Sequence, residues 1–360
     1  MFVLTSCGDK SANISILSDS QTFHQANDVN NKLDILWMVD SSGSMEEEQQ
    51  NLADNFEAFI TDFVSKGYEY NIAVAATDAW RYEYDPTNPF FQTYVKFRDG
   101  DVYMGGSGIR SGTFLINNLL GGGDVTNIIN TFKTNIKVGT IGSGDERAFD
   151  SIRQVLEQTK GSGYNSAYNF RRNDAFLAVI IISDEEDFSR NNPAINGCSG
   201  SPIPDDCQEQ NLRPVSEYVN YLDTFTSSSS TDRKYSVNTI GIFDEVCMAA
   251  NPSSSDHMGL RYAEIASFTN GVTGSICDTN FSQNLNDIQS RIAELSTQFR
   301  LNRVPIVSSI VVNINGVDIP QNATNGWTYN ATNNSIVFHG TAIPAQGAAI
   351  QIVFDPTTLQ

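Results

Sequence analysis

The stretch LDILWMVDSSGSMEEE, residues 33–48, decides how the chain is read. A mostly apolar run (33–39) leads into Asp40, then three serines around Gly43, then Glu46, Glu47 and Glu48. A short apolar run bounded by turn residues predicts a buried parallel strand. Ser44 and Glu47 fit S-x-x-E, so a capping box is expected to open a helix, with three acids in its first turn favoured by the helix dipole. That reading leaves two things unexplained: Asp40 at the end of a buried strand, and Ser42 two residues from both Asp40 and Ser44. The carboxyl ends of parallel strands form the ligand crevice of an open α/β sheet. A carboxylate and two hydroxyls converging there, on a backbone that Gly43 lets fold tightly, are oxygen ligands for a hard cation.

Working outward, apolar runs alternate with helical patterns. Leu52, Phe56, Phe59, Ile60, Phe63 and Val64 recur at helical spacing. YNIAVAA (70–76) reads as a second strand ending in Thr77-Asp78, ERAFDSIRQVLEQ (146–158) as a helix, and AFLAVIII (175–182) as the most buried strand. Further helices are expected at 215–225, 259–270 and 281–299, and further strands at 234–243 and 274–278. This alternation predicts an α/β fold with a doubly wound, mainly parallel sheet over residues 32–302. Two segments break the rhythm: an aromatic, Gly-rich insertion at 81–134, expected to emerge near the same rim as a specificity surface, and a loop at 190–211. From 303 to 360 the pattern has period 2, and Asn315-Gly316 marks a hairpin, so a small β-rich C-terminal domain is expected.

The 360 residues carry a formal net charge of −20, which argues against nucleic acid or anionic membrane surfaces as partners. Three histidines, at 24, 257 and 339, and no CxxC pair argue against a zinc site. Cys198, Cys207, Cys247 and Cys277 lie in polar surroundings that suit two disulfides and an oxidising compartment. Sequence proximity favours Cys198–Cys207 and Cys247–Cys277 among three possible connectivities. LTSC (4–7) resembles the lipobox of bacterial lipoproteins, which makes Cys7 the expected lipidation site after a truncated signal. Residues 8–31, polar and patternless, then read as a tether.

D-x-S-x-S at a strand end inside an alternating α/β chain resembles the von Willebrand factor A domain, the integrin inserted-domain fold, with its metal-ion-dependent adhesion site. The family uses three segments: D-x-S-x-S, a threonine in a second loop, and an aspartate after a central strand. Here Asp40, Ser42 and Ser44 match the first, and Asp184, after AFLAVIII, matches the third. For the second, VGTIGSGDERAF offers Thr140 or Ser143; Ser143 stands in the usual place, and its S-x-x-E setting (143–146) also reads as a helix cap.

The resemblance implies Mg²⁺, or Mn²⁺, with Ca²⁺ open, held by hydroxyls directly and by the aspartates through water, with one position left for an acidic group of a protein or glycan partner. Glu186 and Asp187 are candidates for a second, Ca²⁺-type site, and a solvated acidic loop is the plainer reading. The expected function is metal-dependent adhesion at a bacterial cell envelope, with a passive envelope scaffold as the alternative. No Ser-His-Asp, HExxH or paired-carboxylate pattern points to an enzyme.

Overall fold

A computed structural model describes residues 19–24 (backbone only), 31–100, 108–191, 211–251 and 257–357. The first strand, β1 (Asp19–His24), belongs to a second sheet described below. The central sheet holds β2 (Lys32–Val39), β3 (Glu69–Ala76), β4 (Ile116–Asn117), β5 (Phe176–Ile182), β6 (Tyr235–Gly241) and β7 (Thr273–Ser275). Its order is β4-β3-β2-β5-β6-β7, parallel except for β4 at one edge. The chain builds outward from β2 through β3 and then returns to place β5 on the other side of β2. The crevice between the carboxyl ends of β2 and β5 is therefore the topological switch point, where open α/β sheets take ligands. Val39 is in register with both Ala76 and Ile182, so Asp40, Thr77 and Ser183 leave the sheet at one level.

Helices cover both faces, and the period of 2 along β2 sorts its side chains between them. Leu33, Ile35, Trp37 and Val39 pack against Phe56, Phe59 and Phe63 of α1 (Glu46–Ser65) and Phe132 of α2 (Val125–Asn135). Trp37 meets the rings of Phe59 and Phe132 edge-on, at 5.3 Å each. Leu36 and Met38 face Phe149 and Ile152 of α3 (Ala148–Glu157), Tyr218 and Leu222 of α4 (Val215–Phe225), and a later helix holding Tyr262. No described helix is long and apolar enough to cross a membrane.

The remainder is antiparallel. Strands β8 (Phe299–Arg300), β11 (Gly326–Asn330) and β12 (Ser335–His339) form one small sheet. Strands β9 (Val311–Ile314), β10 (Val317–Ile319) and β13 (Ala349–Phe354) form another with β1. The expected hairpin is present: Asn315 and Gly316, at φ 53° and 85°, join β9 to β10 as a turn with both central residues left-handed. Ile336, Phe338, Ile350 and Ile352 continue the core that begins at β2.

Three expected boundaries move. Residues 19–24, read as tether, pair along their whole length with 349–354, because β13 offers an open edge that a polar segment can fill by backbone bonds alone. The β-rich region begins before 303, since Phe299 and Arg300 already pair with Ile336 and Ser335. The segment 81–134 is only partly an insertion: β4 joins the central sheet, α2 covers one of its faces, and Phe97 is buried beside Phe170, which leaves Tyr84 and Phe90 exposed.

Candidate metal centre

Asp40 extends β2 by one bond, its N–H donating to Ile182 O at 3.0 Å. Its carboxylate then shapes the turn: Oδ1 accepts from Ser42 N–H at 2.7 Å and Oδ2 from the Ser183 hydroxyl at 2.7 Å. The expected capping box does not form. Helix α1 starts at Glu46, Met45 is its cap residue, and no side chain bonds its first N–H groups. Ser44 is thereby left to the crevice, its Oγ 3.2 Å from Ser42 Oγ and its hydroxyl close to the Asp184 carboxyl, whose ionised form it favours.

Asp184 follows β5 by two residues and is 2% exposed, and its Oδ1 has no hydrogen-bond partner. Burial raises its pKa, and burial together with the negative charge of Asp184 pushes Asp40 up to about 7. Among the described residues no Lys or Arg is among the groups that shift either one. Two facing buried carboxylates without a counter-charge are strongly disfavoured unless they are protonated or share a cation.

The loop after α2, which carries Thr140 and Ser143, is fastened to this turn from two sides. Gly142 N–H donates to Ser41 O at 2.8 Å, and a Cβ at Gly142 would lie 2.4 Å from Ser41 Oγ and from Asp78 Oδ2. Asp78, at the end of β3, accepts from Ser41 Oγ at 2.7 Å and from Ser143 N–H at 3.2 Å, and pairs with Arg81 at 3.0 Å. On the opposite side, Gln49 of α1 donates to Asp40 O at 2.9 Å and to Gly139 O at 3.0 Å, and accepts from Gly139 N–H at 3.3 Å. Thr140 is half-buried and, with Gly139 and Glu46 to Gln49, lines a neighbouring cleft of about 1140 Å³.

Ser143 is brought to the rim, and its Oγ accepts from Asp145 N–H at 3.1 Å. It does not cap α3, which starts at Ala148. That cap comes from the loop after β5: Asp187 Oδ2 accepts from Phe149 N–H and Ser189 Oγ from Asp150 N–H, both at 3.0 Å. Glu146, the last residue of the second S-x-x-E, is instead 1% exposed with Oε1 unpartnered. Burial, then the charges of Asp40, Glu185 and Asp78, raise its pKa well above the ordinary value.

The structure gives Glu186 and Asp187 work other than a second cation. Glu186 accepts from Asp187 N–H at 2.8 Å and from Arg261 N–H at 3.1 Å, and burial pushes it up to about 7. Asp187 Oδ1 accepts from Ser189 N–H at 3.1 Å and pairs with Arg261 at 3.3 Å, while Oδ2 caps α3. These bonds tie both carboxylates to the start of α3 and to Arg261. Among the described residues no group of three or more His, Cys, Asp and Glu is arranged to hold an ion, so any site at this rim relies on hydroxyls as well as acids. Cys247 and Cys277 form a disulfide with Cα atoms 5.6 Å apart, the pairing that proximity favoured. Cys198, Cys207 and Cys7 lie outside the described residues.

Four rim residues escaped the sequence reading. Asp78 reads only as the end of the second strand, Glu146 is hidden in an apparent capping box, and Ser183 carries no signal. Only the polar Gln49 on the buried face of an otherwise apolar helix stripe departs from pattern.

No family model and no curated protein matches the chain. Among solved structures, proximal thread matrix protein 1 from the mussel byssus is 12% identical at a TM-score of 0.37, over 77% of this chain and 51% of that one. The same mussel protein with a zinc-occupied MIDAS motif is 13% identical at 0.35, again over 77% of this chain and 51% of that one. The pilus adhesin SpaC from Lactobacillus rhamnosus GG is 14% identical at 0.39, over 91% of this chain and 40% of that one. This chain thus spans about half or less of the length of these proteins. Likenesses this loose carry no function across, and the chemistry of the rim has to speak for itself.

Proposed function

We propose that this chain is a metal-dependent binding protein of the von Willebrand factor A type. The observation that carries the reading is Asp184 Oδ1, buried and unpartnered beside a second buried carboxylate, at the switch point of a doubly wound sheet. A divalent cation supplies the missing counter-charge. The hydroxyls of Ser42 and Ser44 and the carboxylates of Asp40 and Asp184 are the groups that would hold it. Oxygen-only ligands suit Mg²⁺ or Mn²⁺, and Ca²⁺ where the shell is larger. When bound, the cation supplies an electrophilic centre for an acidic group on a protein or glycan partner.

The negative chain disfavours nucleic acid, as expected from its charge of −20. An envelope location with a lipid on Cys7 completes the proposal. A passive envelope scaffold is the second reading, favoured if the rim's polar bonds serve only to hold the loops.

Calorimetric titration with Mg²⁺, Mn²⁺ and Ca²⁺ of wild type, Asp40→Ala and the near-isosteric Asp184→Asn separates the two. Adhesion chemistry requires micromolar to millimolar binding by wild type and its loss in both variants. A wild type that takes up no divalent ion sinks the proposal and leaves the scaffold.

A further inference from the structure

We propose that a pocket at the opposite end of the central sheet from the metal rim binds a single neutral sugar ring. The pocket has a volume of about 320 Å³ and is lined by Tyr70, Asn118 and Gln346, among others. That volume is at the low end of small-molecule sites, about 300–1,000 Å³, so there is room for one ring and not for a chain. Tyr70 is the second residue of β3, whereas the metal rim lies past its last, Ala76. The inference therefore does not rest on the metal-binding reading.

Three polar side chains meet here without protein partners. Tyr70 is 1% exposed, and its hydroxyl has no hydrogen-bond partner. Burial, the one cause acting on it, pushes its phenol up to about 12, so at neutral pH the hydroxyl keeps its proton and has a bond to donate. The side-chain amides of Asn118 and Gln346 make no hydrogen bond to the described residues either, and each brings both donors and an acceptor. Gln346 comes from the C-terminal region, in the turn before β13. Its N–H donates to Lys66 O at 3.1 Å, and its Oε1 lies over Gly67, 3.2 Å from where a Cβ would stand. Gly67, at φ 72°, takes a left-handed conformation and leaves that space to the amide.

The lining selects the chemical class. Its only charged residue is Glu69, which is partly exposed and sits 3.9 Å from Arg172. A phosphate or carboxylate finds no cation in the pocket, and a cation finds only a carboxylate that already has one beside it. Val64 and Ile128 add an apolar wall. A ligand with hydroxyls around its edge and a face of C–H groups matches both parts. Its hydroxyls exchange bonds with the phenol and the two amides, and its C–H face packs on the aliphatic wall. A buried phenol hydroxyl is costly to leave without an acceptor, and a sugar oxygen completes it.

The test uses the methyl glycosides of glucose, galactose, mannose and N-acetylglucosamine as probes. Saturation-transfer NMR and calorimetry are run on wild type, Tyr70→Phe and Gln346→Ala, with and without a metal chelator. At least one glycoside should bind wild type with a Kd on the order of 1–10 mM, as a single small ring can, and chelation should leave that value unchanged. Tyr70→Phe and Gln346→Ala should each weaken it by about 3- to 10-fold, the loss of one hydrogen bond. Tyr70→Phe sheds a buried unpartnered hydroxyl, so its sugar-free melting temperature should equal or exceed that of wild type, and a weaker affinity then cannot be laid to misfolding. Absence of a signal from all four glycosides means that the pocket holds solvent only, and the proposal falls. It falls too if either variant binds as tightly as wild type, or if chelation abolishes binding, which moves the sugar to the metal rim.

Discussion

Gln49→Leu tests how the rim is held together. Gln49 is 3% exposed and lies on the face of α1 that packs against the sheet. Its amide satisfies two carbonyls, Asp40 O and Gly139 O, and one N–H, that of Gly139. Leucine has a similar volume, so the substitution opens little cavity and isolates the polar loss. Each buried group left without a partner costs about 1–3 kcal/mol, and some of the three will recover a bond to water at the loop. The net destabilisation should be about 2–4 kcal/mol in urea unfolding, with an unchanged m-value. The ion should also bind several-fold more weakly, because the loop of Gly139 to Gly142 then hangs on the Gly142–Ser41 and Ser143–Asp78 bonds alone. A loss under about 0.5 kcal/mol together with unaltered Mn²⁺ affinity would refute the claim that this amide straps the two loops together.

Three further outcomes are expected. Gly142→Ala places a methyl 2.7 Å from the backbone carbonyl of Ser41, which cannot swing aside, so it should destabilise by about 1–3 kcal/mol and weaken Mn²⁺ binding; calorimetric affinity equal to wild type contradicts it. Replacing Cys247 and Cys277 by serine opens a loop of sequence separation 30 and should cost about 3–4 kcal/mol on the chain-entropy account, read from urea unfolding with and without reductant; a change below about 1 kcal/mol counts against it. Gln21→Pro, opposite Ile352, places a proline in the β1–β13 ladder and should speed amide exchange in 349–354, while exchange in β2 and β5 stays as it was. Unchanged exchange in 349–354 would return residues 19–24 to the tether.

Long-range architecture was legible because the period of the hydrophobic pattern reports burial on each face. LDILWMV and AFLAVIII have no polar alternation, and both became strands covered on two sides, with Trp37 and Ile180 at 0% exposure. The Asn-Gly hairpin was legible for a different reason: two successive left-handed residues are a local requirement that few sequences meet. What could not be read was pairing whose information lies in the partner. DSQTFH has little pattern of its own and is a strand because β13 presents an edge to it; likewise β4 is two residues long and exists only beside β3.

The same distinction explains the site. Both S-x-x-E segments predicted helix caps, and in neither does the serine cap the helix that follows. In each, the helix starts later than the motif implies, by one residue after Ser44 and by four after Ser143, where a carboxylate holds the preceding turn: Asp40 grips Ser42 N–H, and Asp78 grips Ser143 N–H. Delaying the helix start releases the residues the motif would have consumed. Ser44 is turned toward Asp184, and Glu146 is buried behind the loop of Thr140 and Ser143 instead of reaching back to a cap N–H. A capping box is a local bargain between a serine and a glutamate, and it fails wherever an outside acid binds the turn more strongly. At the end of a buried parallel strand, an aspartate one turn upstream or on the adjacent strand is that acid. The S-x-x-E pattern following D-x at such a place is therefore better read as a set of freed oxygen ligands than as a helix start.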